Sequence, residues 1–246
     1  MKLSGVLFLS FLFLTFYSCE KIIFPDEGEV FEKAENFEYF SKITIYDIFE
    51  VELKTDTVFS VRFLSPEKYI ENIVIREDSG LLEFYDENFA RWLPDYPRPK
   101  VIISFPRLDD QILFRSPVKL TNYDTLKLNK LNLILLGKTG EYDLLMDVDY
   151  FQMVTGSDNF GYYYFRGNAK SAKLWPRGSS QVNASGLNCR DCNIYNNSIG
   201  DCFVNVSHKL EARLNTAGNI IYSGNPEEIK ILEQSGSGRL MPAVIK

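Results

Sequence analysis

Histidine occurs once in the 246 residues, at His208, and cysteine only four times, at Cys19, Cys189, Cys192 and Cys202. A four-ligand zinc site would have to take Cys189, Cys192, Cys202 and His208 together, because Cys189-x-x-Cys192 has no second pair to complete it. No apolar run of spanning length follows the N-terminus, so a bundle of membrane helices is excluded. The formal charge of −6 and pI near 5.0 leave no basic stripe for nucleic acid and would resist an anionic membrane surface. Helical periodicity is nearly absent as well, and only Pro66–Tyr69 offers a helical turn.

The N-terminus is what remains most legible by composition. Lys2 precedes the twelve-residue apolar run Val6–Tyr17, which is short of the roughly 17–25 residues of a spanning helix and has the length of a signal-peptide core. Residues 1–18 therefore read as an export signal. Ser18-Cys19 resembles the lipobox of bacterial lipoproteins, with Phe16 and Tyr17 departing from its usual residues, so Cys19 is the expected lipidation site and a membrane anchor. The other reading is an ordinary secretory signal with a chance cysteine. Residues 19–39, rich in Glu and carrying Pro25 and Gly28, read as an acidic tether, and residues 40–246 as the folded domain.

A degenerate turn signature returns six times in the second half: Lys138-Thr139-Gly140, Thr155-Gly156-Ser157-Asp158, Arg177-Gly178-Ser179-Ser180, Asn197-Ser198-Ile199-Gly200, Thr216-Ala217-Gly218 and Ser235-Gly236-Ser237-Gly238. Referred to positions 140, 158, 180, 200, 218 and 238, the steps are 18 to 22 residues. Stacked coils bury the same column of side chains, and columns are present. Two residues past each reference stand Tyr142, Phe160, Val182, Cys202, Ile220 and Leu240, and four past it Leu144, Tyr162, Ala184, Val204, Tyr222 and Pro242. Six before it stand Ile134, Gln152, Leu174, Ile194, Ala212 and Leu232, with Gln152 the exception. Two strands and two corners per repeat predict an all-β, single-stranded parallel β-helix with about six short coils. The competing fold is an antiparallel β-sandwich, whose strands also recur at short spacing. Cys192 and Cys202 fall among apolar positions, so the cysteines read as small buried hydrophobes, with a Cys192–Cys202 bridge as the alternative.

The N-terminal half alternates at Ile43–Leu53, Val58–Phe63, Ile73–Ile75, Leu81–Tyr85 and Val101–Phe105. Such strands would begin the same sheets and cap the solenoid. Between them Asp86–Lys100 holds three prolines and is a loop. In it Trp92 and Tyr96 could stack on a sugar ring while Arg91 and Arg98 bond a carboxylate or hydroxyls; the other reading is a cover with its rings tucked in. Outward aromatics at Tyr163 and Phe165, with Trp175 and Tyr195 on the other strand, are candidates for a second binding face.

Ile43–Leu53, the strand Val101–Phe105 closed by Pro106, and the segment Ile221-Tyr222-Ser223-Gly224-Asn225-Pro226 before Gln234-Ser235-Gly236-Ser237-Gly238 resemble the head GIN domain family of auto-transporter adhesins, over residues 40–246. That resemblance implies a β-helical domain at the cell envelope, adhesion as the role, and no catalytic residue to carry over. Polysaccharide-active enzymes on β-helices need carboxylates gathered on one face. Here Asp143, Asp147 and Asp149 have no counterparts at Gly161, Phe165 and Gly167, and His208 lacks an obvious partner. The expectation is a non-enzymatic lipoprotein of the outer membrane or its periplasmic face. It would bind a glycan or protein, with no cofactor, metal or nucleic acid and with homo-oligomers possible; a structural or assembly role is the alternative.

Overall fold

The computed structural model describes residues 29–244, so the signal segment and Cys19 lie outside the described residues. It is a parallel β-solenoid of about seven turns, and the pairing is parallel throughout the repeats, which excludes the sandwich. Its strands stack into two principal walls. The first wall runs β1 (Val30–Phe37), β4 (Phe59–Pro66), β7 (Lys100–Phe105), β3 (Glu50–Thr55) and β9 (Lys119–Asn122). It continues through the first halves of β11 (Glu141–Thr155), β12 (Tyr162–Trp175), β14 (Gln181–Ser198) and β15 (Cys202–Leu214), and ends on β16 (Ile220–Ser223) and β18 (Leu240–Pro242). The second wall runs β5 (Ile73–Asp78), β6 (Leu81–Asp86), β2 (Lys42–Ile45), β8 (Ile112–Phe114) and β10 (Leu126–Leu135). It then follows the second halves of β11, β12, β14 and β15 to β17 (Glu228–Gln234). The two-residue β13 (Arg177–Gly178) lies beside the end of β14, and α1 (Glu67–Ile70) is the helical turn expected near Pro66.

The N-terminal strands do begin the same walls. One inward column reads Leu82, Ile43, Ile112, Leu133, Met153, Leu174, Ile194 and Ala212, each fully or nearly fully buried. The other reads Val101, Val51, Leu120, Tyr142, Tyr163, Val182, Cys202 and Ile220. Each fully buried aliphatic side chain in such a column contributes roughly 1.5–3 kcal/mol relative to exposure. The antiparallel strands β1, β4 and β5 finish the N-terminal end. β1 lies inside the segment expected to be a tether: pairing along all eight of its residues with β4 holds it, despite its alternating charges.

Three assignments of the columns differ from the expectation. In the second repeat the position matching Gly140 is Gly161, not Asp158, since Tyr142 pairs with Tyr163 and Gly140 accepts from the Tyr162 amide. The Thr155–Asp158 signature is an earlier bend in the same corner. Phe160 and Tyr162, expected inward, are therefore 53% and 49% exposed. On the second wall the buried residues are Leu133 and Met153 rather than Ile134 and Gln152, and Ile231 rather than Leu232 pairs with Ala212.

The corner between the walls is lined by buried polar side chains, Thr155, Asn159, Ser180, Asn196 and Ser198, all 0–1% exposed. Asn159 Oδ1 accepts from the Gly161 amide at 2.9 Å, the Tyr163 hydroxyl at 2.6 Å and Ser180 Oγ at 2.8 Å, while Nδ2 donates to the Gly137 carbonyl at 2.6 Å. Later in the stack Asn196 Nδ2 donates to Gly218 O at 3.0 Å and Ser198 Oγ to Ser180 O at 2.8 Å. A buried polar group must be bonded or it costs its desolvation, so this ladder fixes the spacing of the coils. Glycine is needed where backbones meet most closely. Gly167 sits at φ +106°, and a Cβ there would run into the Met146 carbonyl oxygen of the coil below.

Cys189, Cys192 and Cys202 are buried and unbridged, as small core residues. Burial pushes the Cys202 thiol up to about 12, with nearby Asp201 adding to it, and the Cys189 thiol followed by burial raises Cys192. All three are shielded by burial, and Cys192 and Cys202 also lack thiolate, so native protein at pH 8 is expected to leave them unreacted with iodoacetamide, while denatured protein reacts at each. Peptide mass spectrometry checks this; modification of any of the three under native conditions would contradict the packing.

Among the described residues no antiparallel strand pairs with β17 or β18. On β17, Ile229 and Ile231 are 42% and 50% exposed, whereas Leu210 and Ala212, their partners one coil below, are fully buried. That strand has a neighbour on one side only among the described residues.

Candidate functional site

The loop between β6 and β7 is built from its prolines. Pro94, Pro97 and Pro99 remove amide donors and bar strand pairing, and the chain instead makes a short 3-10 turn over Phe89–Trp92. Its base is rigid. Buried Asp86 accepts from the Asn88 amide at 3.0 Å and Nδ2 at 2.7 Å, and Asn88 Nδ2 also donates to Tyr69 O at 2.9 Å. Asp47, from the bend between β2 and β3, accepts from the Asp86 amide at 3.1 Å and stands 3.6 Å from Arg91 Nε.

On this base Arg91, Trp92, Tyr96 and Arg98 line one cleft of about 400 Å³, together with Asp47 and Pro117. All four expected loop residues therefore converge, and the two readings of the loop divide between the rings. Trp92 is 69% exposed, with only the edge of Phe89 at 6.5 Å. Tyr96 is tucked in, packed edge-on against Tyr69 at 4.8 Å, with its hydroxyl buried and unbonded. Burial, then the neighbouring Asp86 carboxylate, hold that hydroxyl well above its ordinary pKa, so it stays a neutral phenol. Arg91 donates to Asn88 O at 3.1 Å, whereas Arg98 is exposed and makes no ion pair among the described residues. The cleft thus has one committed and one free guanidinium, an open indole and a neutral phenol. Sequence reasoning missed Asp47 and Pro117, which carry no local signal because other coils bring them in.

The second expected face is overturned. Tyr163 and Phe165 are fully buried, Tyr163 stacked on Tyr142 with centroids 4.8 Å apart and Phe165 edge-on to Phe151 at 4.7 Å. Their neighbours Tyr162 and Tyr164 take the outward positions, at 49% and 47% exposure. The physical reason is the later start of that coil, which reverses the sides of Tyr162 to Phe165 at the beginning of the strand. Trp175 is on the outside of the second wall but half-covered, tilted on Tyr195 at 5.3 Å, with Lys173 and Arg177 each 5.9 Å from its ring.

Asp143 and Asp149 point outward into ion pairs with Arg166 and Lys170. His208 does have acidic partners, with Nδ1 at 2.6 Å from Asp191 and Nε2 at 3.8 Å from Glu227. Strand spacing hid them, since they belong to two other coils. Among the described residues no group of three His, Cys, Asp or Glu is placed to hold a metal ion, and no helix is long and apolar enough to cross a membrane.

Similarity to known proteins bears on this geometry. The fold is shared with a putative adhesin from Bacteroides fragilis NCTC 9343, 17% identical, with a TM-score of 0.78 over 87% of this chain and 97% of that one. A protein described as a putative lipid binding protein from Parabacteroides distasonis ATCC 8503 is 19% identical, with a TM-score of 0.62 over 88% and 98%. A putative adhesin from the same organism is 15% identical, with a TM-score of 0.58 over 88% and 98%. No curated protein matches the sequence. The sequence over residues 39–226 matches the family described as "Putative auto-transporter adhesin, head GIN domain", and with the solenoid in place the chain belongs to that family.

Proposed function

We propose that this protein is a non-enzymatic adhesin module of the cell envelope, exported and anchored through lipid on Cys19 at the outer membrane, and that the loop cleft is its binding site. The observation that carries the site is the convergence of Arg91, Trp92, Tyr96 and Arg98 on one cleft with Arg98 uncommitted. A planar guanidinium with no internal partner is suited to a carboxylate, and an open indole to the face of a sugar or an aromatic ring. The ligand class is therefore an acidic glycan or a peptide carboxylate.

Full-length protein applied to an array of acidic and neutral glycans and matrix proteins is expected to bind an acidic ligand. Arg98→Ala and Trp92→Ala should each weaken it about tenfold or more, which is about 1.4 kcal/mol. Raised salt should weaken the wild type more than Arg98→Ala. Binding that survives both substitutions, or no acidic ligand bound, would overturn this site. Mass spectrometry of the N-terminal peptide tests the anchor, which predicts acyl chains on Cys19.

A further inference from the structure

The outer surface of the first wall carries two adjoining hollows well away from the loop cleft in sequence. One, of about 470 Å³, lies over Lys119, Glu141, Asp143, Tyr162 and Tyr164. The other, of about 200 Å³, lies over Asp143, Tyr164, Arg166, Asn183 and Ser185. They share Asp143 and Tyr164 and so form one trough running from β9 across to β14.

The fold explains why the trough is there. Tyr162 and Tyr164 are two residues apart on one strand, so their Cα atoms are spaced about 7 Å along it and their half-exposed side chains share one side. Their partners one coil below are Glu141 and Asp143, and one coil above Gln181 and Asn183. A bulge then interrupts the pairing of β12 with β14 between Tyr164 and Arg166, opposite Asn183 and Gly186. Bulges re-aim side chains beside functional sites, and here the bulge brings Asn183 and Ser185 to the rim. Asn183 Oδ1 accepts from the Ser185 amide at 3.2 Å and hydroxyl at 2.6 Å, which leaves its amide nitrogen outward as a donor.

The charges decide the ligand. Two cations, Lys119 and Arg166, face two carboxylates, Glu141 and Asp143, and Arg166 is already committed to Asp143 Oδ1 at 2.7 Å and 3.2 Å. A charged ligand of either sign finds no net complement in this lining. What remains is two aromatic faces rimmed by acceptors and donors, the chemistry that suits a polyol whose C–H face lies on a ring while its hydroxyls bond the rim. We propose that this trough binds a neutral oligosaccharide, with successive sugar rings over Tyr162 and Tyr164. It is a second site, independent of the cleft reading.

Isothermal titration of the full-length protein with four probes, cellohexaose, laminarihexaose, mannohexaose and N-acetylchitohexaose, tests it. At least one should bind. Tyr162→Ala and Tyr164→Ala should each weaken that probe about tenfold, because each removes an aromatic face on which a sugar ring stacks. Tyr164→Phe keeps the ring and should stay within about threefold, Asn183→Ala should weaken binding, and raised salt should have little effect. Trp92→Ala and Arg98→Ala should leave binding intact, which separates this trough from the cleft. The tyrosines are half-exposed, and an unchanged urea midpoint confirms folded variants. The proposal is overturned if none of the four probes binds at millimolar concentration. Binding that persists in both Tyr→Ala variants, or that is lost in Trp92→Ala, overturns it equally.

Discussion

Asn159→Ala is expected to lower the unfolding free energy by about 3–5 kcal/mol, since it strips a buried corner of one donor and a triply used acceptor. Ser180 Oγ can still bond the Arg177 carbonyl at 2.7 Å, but the Tyr163 hydroxyl, the Gly161 amide and the Gly137 carbonyl lose these partners inside the protein. Against a total of about 5–15 kcal/mol for an ordinary domain this is a large fraction, and Tm should fall on the order of 10 °C. Urea unfolding followed by circular dichroism measures it. A loss below about 1 kcal/mol would mean that water reaches the corner and satisfies the abandoned groups.

Tyr163→Ala is expected to be as severe, about 3–5 kcal/mol, by opening a cavity beside Tyr142 and removing a hydroxyl that donates to Asn159. Tyr163→Phe, which keeps the ring, should lose only about 1 kcal/mol. Because Asn159 and Tyr163 share a hydrogen bond, Asn159→Ala with Tyr163→Ala should destabilise by less than the sum of the singles, and a double-mutant cycle reads that coupling. An additive pair would refute the shared bond. Tyr163→Ala also could not report ligand binding, because it damages the core rather than a surface.

The side on which Tyr163 stands illustrates what the sequence can carry. Tyr162-Tyr163-Tyr164-Phe165 is four aromatics in a row, so no alternation of polar and apolar residues marks its buried side. The face had to be set by counting from the turn, and Thr155–Asp158 imitates the turn motif three residues before the equivalent glycine. Elsewhere the count works. Val182, Cys202 and Ile220 stack as expected because their corners hold one small-residue signature each, and Leu174, Ile194 and Ala212 follow on the other wall. The loop cleft was legible in composition through its prolines, arginines and rings, but not in shape. Part of its lining comes from Asp47 and Pro117, which only the stacking of distant coils delivers.

The half-exposed face of β17 bears on where motion is tolerated. In a linear array each coil is held by its neighbours, so a coil with one interface opens at lower free energy than one with two. Among the described residues β17, with its isoleucines half in water, pairs on one side only, so it is expected to open before the strands inside the stack. β12 is gripped on both sides, with β14 and β15 between it and that loose end. Fraying must therefore melt inward through those strands before it disturbs the spacing of Tyr162 and Tyr164, so the aromatic pair rides on a stretch of the molecule that behaves as a stiff ruler while the end breathes.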